Sequence, residues 1–495
     1  LESSKHIVVI GAGFAGLSAA CVLAKAGFKV TILEKNSQAG GRARVWEQDG
    51  FKFDMGPSWY WMPDVFENFF DLFGKTPQDF YRLKRLDPSY RVYFGRDDIL
   101  DVPATMPELE SLFESIEPGS ASQLRKFLKQ AAYKYEAGMG EYVFKPSNSF
   151  KEFINLNLIR KSIGMQLLTG MGKHVRRYFK NPKLLQLLEF PVLFLGAAPQ
   201  NTPAMYSLMN YADMVLGTWY PMGGMNELVK AMVNIAEGLD VDVRLDTEVV
   251  KIEATGKKAN RILTSKGAFE ADFVIAGADY AYVDQYLLDK AYRNYDSKYW
   301  NSRTMSPSCL LFYIGTNKKI AGIQHHNLFF DEDFEQHAKE IYDNPKWPAK
   351  PLFYVCCPSK TDGSVAPAGC ENLFFLMPLA AGLEDSEALR DQYFDVLVNR
   401  FEKITGENIR DSIVLKRSYA MADFEADYHS FKGNAYGLAN TLGQTAFLKP
   451  AMRNKHLENL LYTGQLTVPG PGVPPAIISG QVAAREAIKH LKAHL

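Results

Sequence analysis

The chain of 495 residues carries 56 Lys plus Arg against 56 Asp plus Glu, so its formal charge is zero; 47% of residues are hydrophobic and 23% charged. That length calls for two or three domains rather than one core, and a composition near the globular average excludes a mainly disordered chain. The balance of charge excludes a polycation built around nucleic acid, so no nucleic-acid partner is expected.

Aromatic residues reach 13%, a first hint of a large apolar ligand, although a bulky core explains them equally simply. Five Cys (21, 309, 356, 357 and 370) include no CxxC pair. Neither a disulfide scaffold nor a metal site is expected, and the adjacent Cys356 and Cys357 read as buried thiols in a strand of a cytoplasmic protein. The N-terminus lacks the basic and apolar regions of a signal peptide. The longest uncharged stretch, 190–212, is interrupted by Pro191, Pro199 and Pro203, which argues against a transmembrane helix.

In chain order, Ile7-Val8-Val9-Ile10 reads as a strand buried on both faces. Gly11-Ala12-Gly13-Phe14-Ala15-Gly16 and a helix over 17–26 follow. A second strand over 29–33 then ends at Glu34, 23 residues after Gly11. With 37 glycines in the chain, chance supplies roughly 0.2 GxGxxG patterns, so the flanking strand, helix and acid are what make this one a dinucleotide site. Gly11 permits the tight turn, Gly13 lets the backbone approach a pyrophosphate, and Gly16 allows close helix–strand packing. The helix N-terminus offers free N–H groups to the phosphates, and Glu34 suits a ribose diol. Gly40-Gly41-Arg42-Ala43 suits a second loop around the diphosphate, with Arg42 forking onto its oxygens; a surface ion pair is the plainer reading of Arg42.

Phe51 to Ser58 reads as a strand turning into a loop, and 106–211 as a mixed helical region. Trp219-Tyr220-Pro221-Met222-Gly223-Gly224 leads into an amphipathic helix over 226–237. Strands are expected at 241–245, 248–252 and 273–278. The segment 305–440 is rich in strands and aromatics. A last buried strand at 460–464, a rigid turn over 469–475 and a helix over 476–491 close the chain.

These landmarks, together with Phe53-Asp54-Met55-Gly56-Pro57, Ala366-Pro367-Ala368-Gly369-Cys370, Ala422-Asp423-Phe424 and Gly470-Pro471-Gly472-Val473-Pro474, resemble the bacterial phytoene-desaturase-type carotenoid desaturases of the flavin amine-oxidase-like superfamily. The resemblance covers nearly the whole chain. It implies an α/β fold: a Rossmann-like FAD-binding domain with an inserted α+β substrate domain that carries a helical, membrane-facing subdomain. The expected segments are FAD binding at 1–105, 215–290 and 441–495, a helical insert at 106–214 and a sheet-rich substrate domain at 291–440. It also implies FAD contacts from Gly11, Gly13, Phe14, Ala15, Gly16, Glu34, Lys35, Gly41, Arg42, Gly56, Pro57, Ser58, Val249, Gly464, Gly472, Val473 and Pro474. Glu34 would take the adenosine ribose, Arg42 the phosphates and the Val249 backbone the adenine edge, with 472–474 against the flavin ring.

The implied reaction is desaturation of an acyclic C40 carotenoid, by a phytoene desaturase or a 1′-hydroxycarotenoid 3,4-desaturase, with quinone or oxygen as electron acceptor. A carotenoid isomerase, an amine oxidase and a non-enzymatic carotenoid-binding flavoprotein are the alternatives. Holding a rigid hydrocarbon against a flavin needs apolar walls rather than a triad or a metal; accordingly His325-His326 and His490/His494 show no ligand spacing. Family members with an acid and an arginine after a Ser-Phe in the insert point to Glu152 as proton acceptor, but Asn155 replaces the arginine, and a solvated helix charge is the plainer reading. Between 142 and 188 nine basic residues (145, 151, 160, 161, 173, 176, 177, 180, 183) face one acid, Glu152, among apolar side chains. That pattern suits peripheral attachment to an anionic leaflet, or an ordinary solvated helical face.

Overall fold

The computed structural model describes residues 5–147, 166, 169–193, 198–441 and 443–493. Two large sheets organise the chain. In the first, five parallel strands stand in the order Leu460–Tyr462, Phe273–Ala276, His6–Ile10, Lys29–Leu33, Asp242–Arg244. The central strand shows why its sequence is a continuous apolar run. Ile7 and Val9 pack into one core with the helix Phe14–Lys25, whereas Val8 and Ile10 pack into another with the small antiparallel sheet of Val249–Thr255, Lys258–Thr264 and Gly267–Glu270. Both faces are covered, as parallel strands require, and each buried side chain contributes about 1.5–3 kcal/mol.

The helix Phe14–Lys25 lies against the C-terminal helix Val473–Lys492. At their crossing a Cβ on Gly480 would stand 2.2 Å from the Ala15 carbonyl oxygen, so only glycine lets the backbones approach this closely. Ser18 Oγ donates to the Ile477 carbonyl across the same contact at 2.7 Å. The C-terminal helix starts earlier than its prolines suggested: Val473, Pro474 and Pro475 are its first turn, not the end of the preceding loop. Proline is at home there, because its missing N–H would have no helical partner and its φ is already helical.

The second sheet has seven strands in the order Ile413–Tyr419, Ser308–Thr316, Glu371–Leu379, Phe353–Cys356, His326–Phe329, Tyr90–Gly95, Asp98–Val102. Its neighbours are antiparallel except for His326–Phe329 beside Tyr90–Gly95. Alternation assigns its faces. Phe312, Ile314, Phe353, Val355 and Phe375 turn outward under the helix Glu387–Thr405, while Leu311, Tyr313, Tyr354, Phe374 and Leu376 turn inward. Cys356 and Cys357 are buried free thiols at the end of one strand.

The helical region contributes Met106–Ile116, Ser120–Ala137, Met171–Val175 and Pro182–Leu193. It is tied together by Lys134, a fully buried ammonium. Its Nζ donates to the Ala204 carbonyl and Ser207 Oγ, both at 2.9 Å, and to Gln166 Oε1 at 3.3 Å; it also lies 3.2 Å from His174 Nε2. Pro191 sits inside the helix Pro182–Leu193 rather than breaking it. No helix among the described residues is long and apolar enough to cross a membrane.

The basic excess of 142–188 is smaller in space than along the chain. Arg176 pairs with Glu189 and Lys183 with Asp98, while Lys173, Arg177 and Lys180 stay exposed. Glu152, Lys151, Arg160 and Lys161 lie outside the described residues.

Candidate functional site

One deep cleft, with about 2240 Å³ of space including its mouth, runs between the two sheets. Its floor is formed by residues at the carboxyl ends of four parallel strands: Ile10 and Gly11, Leu33 and Glu34, Gly277, and Thr463 and Gly464. That is where open α/β sheets place their ligands, because loops there diverge and helix N-termini converge.

The glycines of the first loop divide the work. Gly11 has φ +95°, and a Cβ on it would press on the Ala278 amide at 3.2 Å. A Cβ on Gly16 would fall 2.0 Å from the Gly11 carbonyl oxygen. Gly16 therefore seals helix against strand and, unlike the other expected cofactor residues, does not line the cleft. A Cβ on Gly13 would meet nothing within 4 Å, because that position faces the cleft, at the N-terminal end of Phe14–Lys25. No side chain caps this helix, so its first amides and positive dipole end face the space beyond Gly13.

The second loop rests on the first. The Gly40 N–H donates to the Ala12 carbonyl at 2.8 Å, and a Cβ on Gly41 would touch the Gly13 Cα at 3.4 Å. Glu34 is buried, one carboxylate oxygen accepting the Ala12 N–H at 2.8 Å and the other the Asn36 N–H at 2.9 Å. Lys35 is drawn aside to the Ala426 carbonyl.

Arg42 is not the surface ion pair of the plainer reading. Its Nη2 donates to Ser430 Oγ and the Asn434 carbonyl, both at 3.0 Å; its guanidinium lies over the Tyr428 ring, and its buried Nε has no partner. Burial pulls its pKa down, against the pull of Asp279. Arg42 lines the cleft together with the uncapped helix start and the unfilled Gly13 cradle, a donor set suited to a diphosphate. The residues present therefore fit a flavin dinucleotide.

Gly56, Pro57 and Ser58 continue the wall, and a Cβ on Gly56 would stand 2.6 Å from the Arg42 carbonyl oxygen. The neighbouring Asp54 has a different task. Its carboxylate accepts the Met225 and Asn226 N–H groups at 2.7 and 3.0 Å, capping the helix Asn226–Gly238. A Cβ on Gly224 would strike that carboxylate at 2.7 Å. Two motifs 170 residues apart are thus one contact, and burial raises the Asp54 pKa to about 6. Val249 lines the cleft at the start of its strand, beside a register shift.

At the far side, Gly464 (φ +106°) and the helix start at Gly472 (φ +112°) complete the floor. Pro474 and Pro475 carry no N–H, and the Ala476 N–H is spent on the Gly472 carbonyl at 3.0 Å. The donor left at this helix start is the Val473 N–H. Above the floor the wall is apolar and aromatic, built from Trp59, Trp61, Met62, Leu311, Phe374 and Leu376, with Pro191 and Met209 reaching in from the helical region.

Three features were not legible in the sequence. Asp279, half-buried beside Arg42, caps the turn at Tyr282 and lies beyond any motif. The Tyr428–His429 corner lines the cleft, with His429 Nε2 2.7 Å from Glu248. A polar thread also crosses the apolar wall: the Tyr354 hydroxyl donates to Ser58 Oγ at 3.0 Å and lies 2.6 Å from His326 Nδ1. The His325-His326 pair was its one visible sign; Tyr354 joins it only through strand pairing.

Comparison with known proteins agrees with this geometry. The family model described as flavin containing amine oxidoreductase matches residues 14–488. A carotenoid 3,4-desaturase of Haloarcula japonica is 41% identical over 491 residues, 99% of each chain. A 4,4′-diapophytoene desaturase (4,4′-diaponeurosporene-forming) of Staphylococcus aureus is 32% identical over 498 residues, 98% of this chain and 99% of that one. Among solved structures, a redesigned putrescine oxidase superposes with a TM-score of 0.63 at 13% identity, covering 98% of this chain and 99% of that one, a likeness of fold alone. The resemblance read from the motifs holds, and with it a flavin as the cofactor: the chain belongs to the flavin containing amine oxidoreductase family.

Proposed function

We propose that the protein is an FAD-dependent carotenoid desaturase that introduces C=C bonds into an acyclic C40 carotenoid in carotenoid biosynthesis. The observation that carries this reading is the single cleft in which dinucleotide-binding loops meet a wall of aromatic and aliphatic side chains. An amine oxidase would need a polar cage for a cation, which that wall does not offer. The full-length relatives named for carotenoid desaturation support the same reading.

When bound, FAD supplies an acceptor for the electron pair of an oxidised C–H bond. The chain's residues bind, orient and exclude water. The amides around Gly13 and the Arg42 guanidinium would hold the diphosphate, Glu34 the ribose diol, and the Val249 backbone the adenine edge. The Val473 N–H, at a helix N-terminus on the cleft floor, would favour negative charge on a ring bound there. Trp59, Trp61, Phe374 and Leu376 hold the polyene and keep the site dry, which strengthens each of these electrostatic contacts.

In this reading 1–105, 215–290 and 441–495 supply the FAD domain and 106–214 and 291–440 serve the substrate, with one correction: Tyr90–Gly95 and Asp98–Val102 pair into the seven-stranded sheet and so belong with 291–440. Exposed Lys173, Arg177 and Lys180 support peripheral attachment to an anionic leaflet, from which so insoluble a substrate must come. Quinone or oxygen would re-oxidise the flavin. The test is anaerobic incubation of FAD-loaded protein in liposomes with phytoene and with a 1′-hydroxylated acyclic carotenoid. Flavin bleaching with a lengthened polyene supports desaturation and identifies the preferred substrate. Isomerised product without bleaching, or peroxide from simple amines under air, refutes it.

A further inference from the structure

Loss of two hydrogens from a C–C bond requires a proton acceptor, and a polar thread crosses the apolar wall. Ser58 and Tyr354 both line the cleft. Behind them His326 is fully buried, its ring stacked on Trp59 at 4.0 Å and 9° between planes. His325 follows, its ring 4.5 Å from that of His326 and its Nδ1 2.8 Å from Oγ1 of the partly exposed Thr361. A ring nitrogen of His325, one of His326 and the Cys356 Sγ lie within 4.8 Å of one another, and the Nε2 atoms of both histidines are buried without a partner. Desolvated, unpaired imidazole nitrogens are costly. Two of them side by side, in line with a hydrogen-bonded thread from the cleft, need a functional account.

We propose that Ser58, Tyr354 and His326 form a proton relay that takes the proton lost by the substrate and delivers it to the His326 imidazole, on the side of the wall where His325 and Thr361 lead toward the surface. The proposal rests on the desaturase reading, whose flavin has already accepted the electron pair. In the relay step a C–H bond of the substrate cation breaks and its electrons become the second bond of the new C=C. The proton goes to Ser58 Oγ, the Ser58 hydroxyl proton to the Tyr354 oxygen, and the Tyr354 proton to His326 Nδ1. Electrons and atoms balance, and no further oxidant is needed.

The Ser58–Tyr354 and Tyr354–His326 separations of 3.0 and 2.6 Å serve both hydroxyl orientations, donation toward Ser58 at rest and toward His326 in transfer. Burial keeps both rings neutral, the His325 pKa pushed down to about 3 and that of His326 well below the usual range, so each has a lone pair to accept with. It also makes imidazolium a transient carrier that hands its proton on. The Trp59 face against His326 softens that transient charge.

The test is single-turnover stopped flow of the FAD-loaded protein in liposomes with phytoene, following flavin bleaching and product polyene separately. In the parent protein the two should coincide. In Tyr354→Phe, which keeps the ring and removes the proton carrier, bleaching should persist while product formation lags about 100-fold; His326→Gln should do the same. A merely structural role would slow both signals together, and that result overturns the relay. So would a lag in Glu152→Gln with none in Tyr354→Phe, or a stoichiometric metal that co-purifies with the protein and disappears in His326→Gln. Absence of bleaching in the parent protein with any carotenoid would instead refute the desaturase reading.

Discussion

Two alanine substitutions three residues apart separate the two tasks of the first glycine loop. At Gly16 the new methyl would stand 2.0 Å from the Gly11 carbonyl oxygen and 3.1 Å from its carbon. Non-bonded carbons rest at about 3.5–4.0 Å, so helix and strand would have to part by over ~1 Å against two packed cores. Gly16→Ala should therefore cost at or beyond the top of the ~1–3 kcal/mol range for overpacking. At Gly13 the backbone (φ −74°, ψ 174°) is open to alanine and the methyl meets nothing within 4 Å. Its stability cost is the helix-cap preference alone, about 1 kcal/mol or less, partly offset by a stiffer unfolded chain. Yet that methyl fills the cradle where phosphate oxygens must reach the helix amides. FAD affinity should fall about 100-fold, equivalent to ~2.7 kcal/mol. Titration of apoprotein with FAD, read by flavin fluorescence, and thermal unfolding of the same apoproteins give both numbers. If Gly13→Ala binds FAD like the parent, or unfolds as readily as Gly16→Ala, the assignment of the two glycines is wrong.

Arg42→Met should leave the apoprotein folded, since the guanidinium is buried with an unpaired Nε, while FAD titration shows a loss of about 10-fold or more. Asp54→Ala strips the acceptor from the Met225 and Asn226 amides and should cost about 1–2 kcal/mol by chemical denaturation, without a direct effect on the flavin spectrum. Burial lowers the Lys134 pKa from 10.5 to about 7. Between those values the unfolded chain binds the extra proton, so stability should rise with pH across that window, by up to about 1.4 kcal/mol per unit. Melting curves at pH 7, 8 and 9 should show the rise, and Lys134→Met should flatten it.

What was legible in the sequence is what local physics dictates. A four-residue apolar run, three glycines at fixed spacing and an acid at the next strand's end describe one βαβ unit, because turn, helix start and strand are set within 30 residues. The prolines at 474 and 475 misled only about where the last helix begins: the residue that cannot continue a helix is well suited to open one.

Tertiary structure decided the rest, because it joins residues that share no local pattern. Asp54 belongs to the helix at 226 only because Gly224 has no side chain to keep it away. Basic residues counted as a lopsided run find Glu189 and Asp98 across the fold. His325-His326 reads as a pair without ligand spacing until strand pairing brings Tyr354 to His326 and Ser58 to Tyr354. Periodicity and glycine chemistry act over a few residues and could specify a dinucleotide loop. Proton paths and cleft walls are assembled by strand order, which no local stretch of sequence encodes.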